Sequence, residues 1–279
     1  MAEGAPAIAG AADRLPGNGG AGAALRRFMS GRASGVLLIV VLLALWQISA
    51  EHWVKSENWP PLTAVGQAFL DGMRSGELPA VFGSSLYRMG IGFAIGAALA
   101  LVVGLLMATV RLVHRALEPL VELLRPIPIP AIVPPLILLL GLDDKLKIFI
   151  VAFSTFFPVL VNTVQGVRAI DPVPLAVART FRHSRARTLV RVVLPASLPY
   201  ILAGLRISLA LALIVTVVAE MIAGSAGIGY YIVTMQYAMR APDMYAAVFV
   251  LAAIGYALNR AFLAAERRLL HWYRTDRSA

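Results

Sequence analysis

The chain has 279 residues and a net charge of +10, with 59% hydrophobic residues and only 14% charged ones. About 25% of the residues in an ordinary soluble domain are charged. This composition therefore provides too few charges for a polar surface and favours a protein embedded in the bilayer. The basic residues lie between apolar runs rather than on one soluble face, which argues against nucleic-acid binding. Because there is no cysteine, disulfides, thiolate metal clusters and thiol catalysis are excluded.

Six apolar stretches predict an all-α membrane protein with about six transmembrane helices. Residues 1–32, rich in Ala and Gly, are predicted to be a disordered cytoplasmic tail. Residues 33–268 are predicted to form the membrane domain, and residues 269–279 a basic cytoplasmic tail. The first stretch also fits a signal peptide, but its apolar run continues through Trp46 and more spans follow, which favours a retained helix. The predicted spans are 34–50, 86–110, 116–140, 147–167, 196–222 and 244–263.

Arginine is distributed unevenly among the connections between these spans. It is concentrated in both tails, in a predicted short loop at 111–115 and in a long segment at 168–195. The other connections hold only Lys55, Arg74, Lys145, Lys147 and Arg240. Since basic residues accumulate on the cytoplasmic side, this asymmetry predicts that both termini are cytoplasmic.

Two spacing patterns in the sequence predict local features, one outside the spans and one within the second span. Leu62, Val65, Phe69 and Met73 recur at helical intervals, which predicts a short amphipathic helix on the outer surface. In the second span, Gly92 and Gly96 form a small-xxx-small pair that would let a neighbouring helix approach closely.

The third span is interrupted by proline, which removes a backbone donor and disfavours helix before it. Lipid does not accept such a broken segment, so it must face protein or a watery cavity. Two interpretations remain open, a structural kink and the lining of a translocation path. The prolines are Pro126, Pro128, Pro130, Pro134 and Pro135.

Few polar residues lie within the spans, and these are Asn162, Arg206, Glu220 and Arg260. Ionisable residues in hydrocarbon normally face the bundle interior or a pathway. Arg206 and Glu220 are separated by about 21 Å along one helix and cannot pair directly. Each of them can line a path or serve packing, and Arg206 and Arg88 can each assist an anion or satisfy a helix end.

The segment 171–195 predicts a short helix on the cytoplasmic side. Asp171 is a good N-cap and Pro172 suits the first helical position. Leu175, Ala178 and Phe181 share one predicted face beside Val177, and several arginines cover the rest. Such a helix could rest on anionic lipid or dock into a groove on a cytoplasmic partner.

No catalytic motif is found in the chain. It has no G-x-x-x-x-G-K-[ST] phosphate loop and no G-x-S-x-G elbow. Its four histidines fall in separate loops or tails without metal-ligand spacing. We therefore predict that the chain is not an enzyme and holds no cofactor or metal.

The 171–195 segment resembles the coupling loop of bacterial ABC importer permeases. The family pattern is Glu-Ala-Ala, three residues, Gly, nine residues, an aliphatic residue, any residue, and Leu-Pro. Here the first triplet is Ala176-Val177-Ala178, and the pattern ends at Val192 and Leu194-Pro195. The spacing matches, but Ala176 replaces the glutamate and Arg182 replaces the glycine.

Five further segments resemble the nitrate/sulfonate/taurine group of these permeases, and the likeness spans residues 36–273. The segments, in chain order, are RPIPIPAIVPPLILLLGLDDKLKI (125–148), FFPVLVNTVQGVR (156–168), LPASLPYILAGLRISLALA (194–212), VVAEMIAG (217–224) and GIGYYI (227–232).

This resemblance implies the fold of a type I ABC importer permease in the bacterial inner membrane, with a coupling loop at 169–195. It also implies four kinds of partner: a second permease copy, two cytoplasmic ATPases that bind ATP and Mg²⁺, a periplasmic or lipid-anchored solute-binding protein, and membrane lipid. The solute would be small and anionic. The implied coupling residues are Leu175, Ala176, Val177, Ala178, Phe181, Arg182 and Ser184. The implied path and gate residues are Pro128, Pro130, Pro134, Asn162, Arg206 and Glu220.

Two other classes of membrane protein remain as alternatives. A secondary transporter should show internal repeats and buried carboxylates for ion coupling, whereas the halves of this chain show no convincing repeat and Glu220 is the one plausible buried acid. A membrane scaffold without transport would leave the broken third span and the long cytoplasmic segment unexplained.

Overall fold

The computed structural model of the chain describes residues 32–54 and 56–271, which are helical apart from short connections. Five of the described helices are long and apolar enough to cross a membrane, or six if one bent pair counts as a span. The helices are α1 (Arg32–Ile48), α2 (Leu62–Arg74), α3 (Glu77–Thr109), α4 (Arg111–Leu124), α5 (Ile129–Leu140), α6 (Asp144–Arg168), α7 (Pro172–Thr180), α8 (Arg185–Thr188), α9 (Leu194–Ala223), α10 (Ile228–Tyr237) and α11 (Ala241–Leu269).

The chain divides into two compact units, residues 1–56 and 57–279. In the first unit, α1 continues through a π-helical turn at Ser49–Trp53, so the helix extends beyond the predicted span. The predicted tails lie mostly outside the described residues, and their predicted disorder and boundaries stay predictions.

The second unit is built around α3, α6 and α9, with α6 in extensive contact with both of the others. Glycines allow this close packing. A Cβ on Gly92 would collide with Val151, and a Cβ on Gly96 would collide with Thr155 and the carbonyl of Ala152. The predicted close approach at the small-residue pair is thus confirmed, and α6 is the helix that approaches.

We expect the variant Gly96→Ala to destabilise the protein by about 1–3 kcal/mol, the usual cost of overpacking a tight contact. Gly90 lies on the same helix and has open space around its Cβ position. Gly90→Ala should therefore be neutral or stabilising, because alanine is the better helix former. Thermal unfolding of the purified protein measures both, and equal melting temperatures would contradict the packing account.

The predicted third span is broken into two helices that meet at an angle of 101°. Pro126 and Pro128 lie in the break, where missing donors and restricted backbone angles end α4 before α5 begins. The chain is also helical from Arg111, so the predicted loop at 111–115 is wrong. A single extended residue, Val110, separates α3 from α4.

Three further boundaries differ from the prediction because burial, rather than polarity, decides them. Helix α3 begins at Glu77, nine residues before the predicted span, since Leu78 and Phe82 pack into the core. Lys147, predicted at the junction of an outer loop, lies inside α6 with only 1% of its surface exposed. The predicted Gly-rich segment 224–242 contains α10, whose Tyr231 is buried in the same cluster as Leu78.

Candidate functional site

The segment 171–195, which the sequence predicts to be cytoplasmic, begins with the short helix α7. The carboxylate of Asp171 accepts a hydrogen bond from the backbone N–H of Val173 at 2.8 Å, so Asp171 is the N-cap, and Pro172 is the first helical residue. The helix ends at Thr180, and Phe181 is its C-cap, whose N–H donates to the carbonyl of Val177 at 3.0 Å. The predicted helix and its cap are confirmed.

The exposed apolar face of α7 differs from the predicted one. Ala178 is buried at 3% exposure and Leu175 is half-buried, so both face the rest of the subunit. Val173, Val177 and Phe181 are 63%, 49% and 72% exposed, and their four-residue spacing places them on one side. These three residues are called the apolar stripe below.

Exposed basic side chains occur in the same segment as this stripe. Arg179 is exposed on α7, and Arg182, Arg185 and Arg187 are exposed in the turn and the helix α8 that follow it. The hydroxyl of Ser184 accepts a hydrogen bond from the N–H of Arg187 at 3.3 Å and so caps α8. Ser184 therefore has a local structural role within the predicted coupling group, and Ala176 is exposed next to the stripe.

Arg182 has a left-handed backbone, with φ of 51°. This is the position at which the family pattern has glycine, the residue that adopts such angles without steric cost. The turn between α7 and α8 therefore keeps the backbone shape that glycine would supply, although the side chain is a bulky cation.

The strain at Arg182 gives a stability prediction. We expect Arg182→Val to destabilise the protein by at least about 1 kcal/mol, because a β-branched residue is poorly tolerated at positive φ. Arg182→Gly should be neutral or stabilising, since glycine relieves the strain. Melting temperatures compare the two variants, and a loss in the glycine variant equal to that in the valine variant would contradict the account.

The break between α4 and α5 forms one wall of a cavity of about 420 Å³ that also contacts α6 and α9. Asn162 lines it, and one N–H of its amide donates to the carbonyl of Pro158 at 2.8 Å. Ile127 and Ile129, on either side of Pro128, lie in the wall, but neither Pro128 nor Pro130 is itself a lining residue. The lining residues are Arg125, Ile127, Ile129, Phe153, Ser154, Phe157, Pro158, Val161, Asn162, Ile207, Leu211 and Val215.

Arg206 does not line this cavity. It lies in a separate groove of about 290 Å³ between α9 and α11, together with Leu213 and Leu258. The structure thus places Arg206 on a different face of α9 from Ile207 and Leu211, and it does not bring Arg206 and Asn162 together. Pro134 also lies outside the cavity lining.

Glu220 is fully buried and fully hydrogen-bonded inside the subunit. It accepts from the hydroxyl of Ser85 at 2.8 Å, from a guanidinium nitrogen of Arg88 at 2.9 Å, and from the N–H of Gly229 at 3.1 Å. These donors balance the buried charge, so Glu220 faces the bundle interior and not an open cavity. Its predicted role in the path stays a prediction.

The same network connects four helices. Arg88 also donates from Nε to Asp144 at 2.6 Å, and Ser85 accepts from the N–H of Ile228 at 2.8 Å. A Cβ on Gly227, whose φ is 107°, would collide with the Glu220 carboxylate. We call this group the Glu220 network; it consists of Ser85, Arg88, Asp144, Glu220 and the N–H of Gly229. The network joins α3, α6, α9 and the start of α10 at one end of the bundle.

Sequence reasoning identified Glu220 but missed its partner. Arg88 was considered only as an aid to anions or as a helix-end residue. The pair could have been inferred from the position of Glu220, because a carboxylate deep in one span needs a cation from another span. Among the described residues, no three His, Asp or Glu side chains group as ligands for a metal ion.

The bundle and its broken span define a multi-pass helical membrane protein, and comparisons with known proteins narrow this class. Residues 96–271 match the family described as the binding-protein-dependent transport system inner membrane component. An aliphatic sulfonates transport permease of Bacillus subtilis is 34% identical, covering 87% of this chain and 88% of its own length. The taurine transport permease of Escherichia coli is 30% identical, covering 85% and 88%.

Three further matches, one relative and two solved structures, extend this result. The bicarbonate transport permease of Synechococcus elongatus is 36% identical, covering 63% of this chain and 64% of its own length. Among solved structures, the methionine ABC transporter MetNI superposes with a TM-score of 0.61 at 17% identity, covering 68% of this chain and 94% of that one. A bacterial alginate importer superposes with a TM-score of 0.60 at 16% identity, covering 88% and 93%.

The chain belongs to the binding-protein-dependent ABC importer permease family, as the sequence resemblance implied. Its fold is that of ABC importer permeases, and its class is a multi-pass inner-membrane transport subunit. Members of this family work with an ATPase and a solute-binding protein.

Proposed function

We propose that this chain forms half of the translocation path of an ATP-driven importer for a small anionic solute. Two copies assemble side by side above two cytoplasmic ATPases, which bind the ATP and Mg²⁺, and this chain has no catalytic site of its own. A periplasmic or lipid-anchored binding protein delivers the solute from the opposite side. Both termini lie in the cytoplasm, because arginine is concentrated in the two tails and in the connections on the same side of the membrane as the tails, and basic residues accumulate on the cytoplasmic side.

The apolar stripe on α7 is the observation that supports this proposal most strongly. Three apolar side chains at four-residue spacing are exposed on this short helix, and exposed arginines follow it in the chain. An amphipathic helix that places such a face into a groove is a common mode of protein recognition. The arginines that follow the helix would steer it towards an acidic surface on the partner.

The cavity beside the α4–α5 break supports the placement of the path. It lies against α6 and α9, and in the proposed assembly a second copy of the subunit completes its wall. Asn162 and the proline-flanked segment at Pro128 and Pro130 are the residues that we propose for the path. Broken helices are tolerated at membrane depth where they line such cavities.

The anionic class of the solute is supported by the relatives. Their names specify aliphatic sulfonates, taurine and bicarbonate, each of which carries an anionic group. The net charge of the chain is consistent with an anionic cargo, although most of its arginines serve membrane orientation.

The experiment is affinity purification of the tagged chain from membranes of its native host in mild detergent. We expect an ATPase to co-purify, in equal numbers of permease and ATPase subunits, and its ATP hydrolysis to be stimulated by a binding protein from the same host. A chain that reproducibly purifies without any ATPase but still carries solute along an ion gradient would instead be a secondary transporter, and the proposal would be wrong.

A further inference from the structure

The groove of about 290 Å³ between α9 and α11 combines two polar residues with an apolar wall. The polar residues are Arg206 of α9 and Asn259 of α11. The other lining residues are apolar, and they are Leu209, Ala210, Leu213, Ile214, Gly255 and Leu258. The α9–α11 groove, as it is called below, therefore suits a ligand that is polar in one part and apolar in another.

The two polar residues lie at the same end of the α9–α11 groove, because the two helices run antiparallel. Val217 of α9 packs in one buried cluster with Ala247 of α11. A Cβ on Gly255 of α11 would lie 3.1 Å from the side chain of Leu213 of α9. Contacts nearer the start of α9 are thus made by residues nearer the end of α11. The two polar residues continue this series, so both lie towards the end of the bundle where α9 begins and α11 ends.

The side chain of Arg206 is exposed and has no partner within the subunit. In the part of the chain that the structure describes, it forms no ion pair and no hydrogen bond, whereas Arg88 is held by Glu220, Asp144 and the carbonyl of Ala226. An arginine within a span normally pairs with another charged or polar group. Arg206 therefore needs an anion from outside the subunit.

The length of the α9–α11 groove fits within one leaflet of a bilayer. Arg206 and Leu213 are separated by about 10 Å along α9. The hydrocarbon part of one leaflet is about 15 Å thick, half of the bilayer core. A lipid whose phosphate contacts Arg206 would therefore place an acyl chain against the apolar wall, towards the middle of the bilayer.

The charge near the polar end of the groove favours an anionic lipid. Arg260, Arg267 and Arg268 are exposed on the last turns of α11, towards the same end as Arg206 and Asn259. Basic side chains near a membrane surface attract anionic headgroups. In the proposed orientation, this end of the bundle faces the cytoplasmic leaflet.

A second copy of the subunit suits the α9–α11 groove less well than a lipid does. In the proposed assembly, the second copy completes the cavity beside the α4–α5 break, which lies on a different face of α9. If two copies met at this groove around a two-fold axis, each Arg206 would face another cation. Glu220, the acid deep in a span, is fully buried with Arg88 and so is not available as its partner.

We propose that the α9–α11 groove binds one anionic phospholipid, with its phosphate on Arg206 and Asn259 and one acyl chain along Leu213 and Leu258. The inference goes beyond the proposed function, because it gives Arg206 a ligand that is neither the solute nor the ATPase. It therefore stands or fails independently of solute transport.

The test titrates the delipidated full-length chain, together with the subunits that co-purify with it, with phosphatidylglycerol, and native mass spectrometry counts the bound lipids. We expect one phosphatidylglycerol per copy of the chain, bound more tightly than phosphatidylcholine, whose headgroup carries a balancing cation. Arg206→Gln should weaken phosphatidylglycerol binding at least about fivefold, the effect of one arginine near an anionic headgroup. Arg206→Lys should retain binding within about threefold, since lysine also binds phosphate.

Two comparisons separate a bound lipid from general effects of charge. Arg111 is exposed at the start of α4, outside the α9–α11 groove, so Arg111→Gln should leave the affinity for phosphatidylglycerol unchanged. Glycerol 3-phosphate has a similar phosphate but no acyl chain, and in large excess it should not displace the lipid. Displacement by glycerol 3-phosphate would show a site for free phosphate and would overturn the proposal.

The apolar wall is tested by filling it. Ala210 is exposed in the α9–α11 groove, and Ala210→Phe should weaken binding at least about threefold, the loss of one buried methylene or more. Ala253→Phe is the matched comparison, because Ala253 is exposed on α11 but does not line the groove. It should bind the lipid as the wild type does. Because Ala210→Phe keeps every charge, it tests the proposal even if Arg206→Gln does not fold.

A phosphatidylglycerol with a photoactivatable group at the end of one acyl chain locates the site. After irradiation and peptide mapping, we expect the label on α9 near Leu213 or on α11 near Gly255. A wild type that binds phosphatidylglycerol no more tightly than phosphatidylcholine, an Arg206→Gln variant that binds it as the wild type does, or a label on other helices would overturn the proposal. None of these results would alter the importer assignment, which is tested by the co-purifying ATPase.

Discussion

Phe181→Asp is expected to uncouple ATP hydrolysis from uptake. Phe181 is the most exposed residue of the apolar stripe and is expected to fill a groove on the ATPase. Replacing a buried aromatic anchor with a charge costs about 2–4 kcal/mol at an interface, or at least about thirtyfold in affinity. The measurement is solute uptake and ATPase stimulation in vesicles that contain the permease, the ATPase and the binding protein.

Ala176→Glu is the matched comparison for Phe181→Asp. It also adds one negative charge to α7, but it lies beside the stripe at the position where the family pattern has glutamate. We expect it to preserve coupling. Unchanged transport and stimulation in Phe181→Asp, or equal losses in the two variants, would contradict docking through the stripe.

The second large effect is expected in the Glu220 network. Glu220→Gln removes one of the two carboxylates that pair with buried Arg88, and Arg88→Met leaves the buried carboxylate of Glu220 without this cation. Breaking one side of a buried ion pair costs about 3–5 kcal/mol. Both variants should therefore lower the melting temperature strongly, and α10 should become more accessible to proteolysis because Gly229 loses its charged acceptor.

A double-mutant cycle separates pairing from simple burial. The variant that combines Glu220→Gln with Arg88→Met should be more stable than the sum of the single losses predicts, since neither a lone buried carboxylate at Glu220 nor a lone buried guanidinium remains. Arg240→Gln is a control for exposed pairs: it disrupts the contact of Arg240 with Asp243 at 2.7 Å and should cost less than about 1 kcal/mol. Single variants that lose no more stability than Arg240→Gln would contradict the role of the network.

Local patterns in the sequence predicted the features that depend on neighbouring residues. The cap at Asp171, the helix α2 and the close approach at Gly92 and Gly96 follow from spacings of a few residues, and the structure confirms them. The prolines likewise predicted a broken third span. The family and its fold followed from five segments with the right order and spacing.

Features that depend on distant contacts could not be predicted in this way. Arg88 and Glu220 are separated by 132 residues, so no periodicity reveals their pairing. The stripe on α7 was placed on Leu175, Ala178 and Phe181, but Ala178 packs against the subunit. Which side of an amphipathic helix faces its own chain depends on the surrounding tertiary structure.

The assignment of path residues shows the same limit. Arg206 and Asn162 are both polar residues within predicted spans, and the sequence placed them in one path. The rotation of α9 about its axis puts Arg206 in a groove with α11 and puts Ile207 in the cavity with Asn162. Helix rotation is set by packing, which the hydropathy of the span does not encode.

Site-specific photocrosslinking tests the central claim, that α7 docks on the ATPase, most directly. Since the chain contains no cysteine, Val177→Cys introduces a single thiol that can carry a benzophenone maleimide. Val102→Cys, exposed on the membrane-spanning α3, is the control. The account predicts a covalent permease–ATPase adduct from Val177→Cys and none from Val102→Cys. A fully labelled Val177→Cys that crosslinks only to lipid, with the ATPase present, would contradict it and place α7 on the membrane surface.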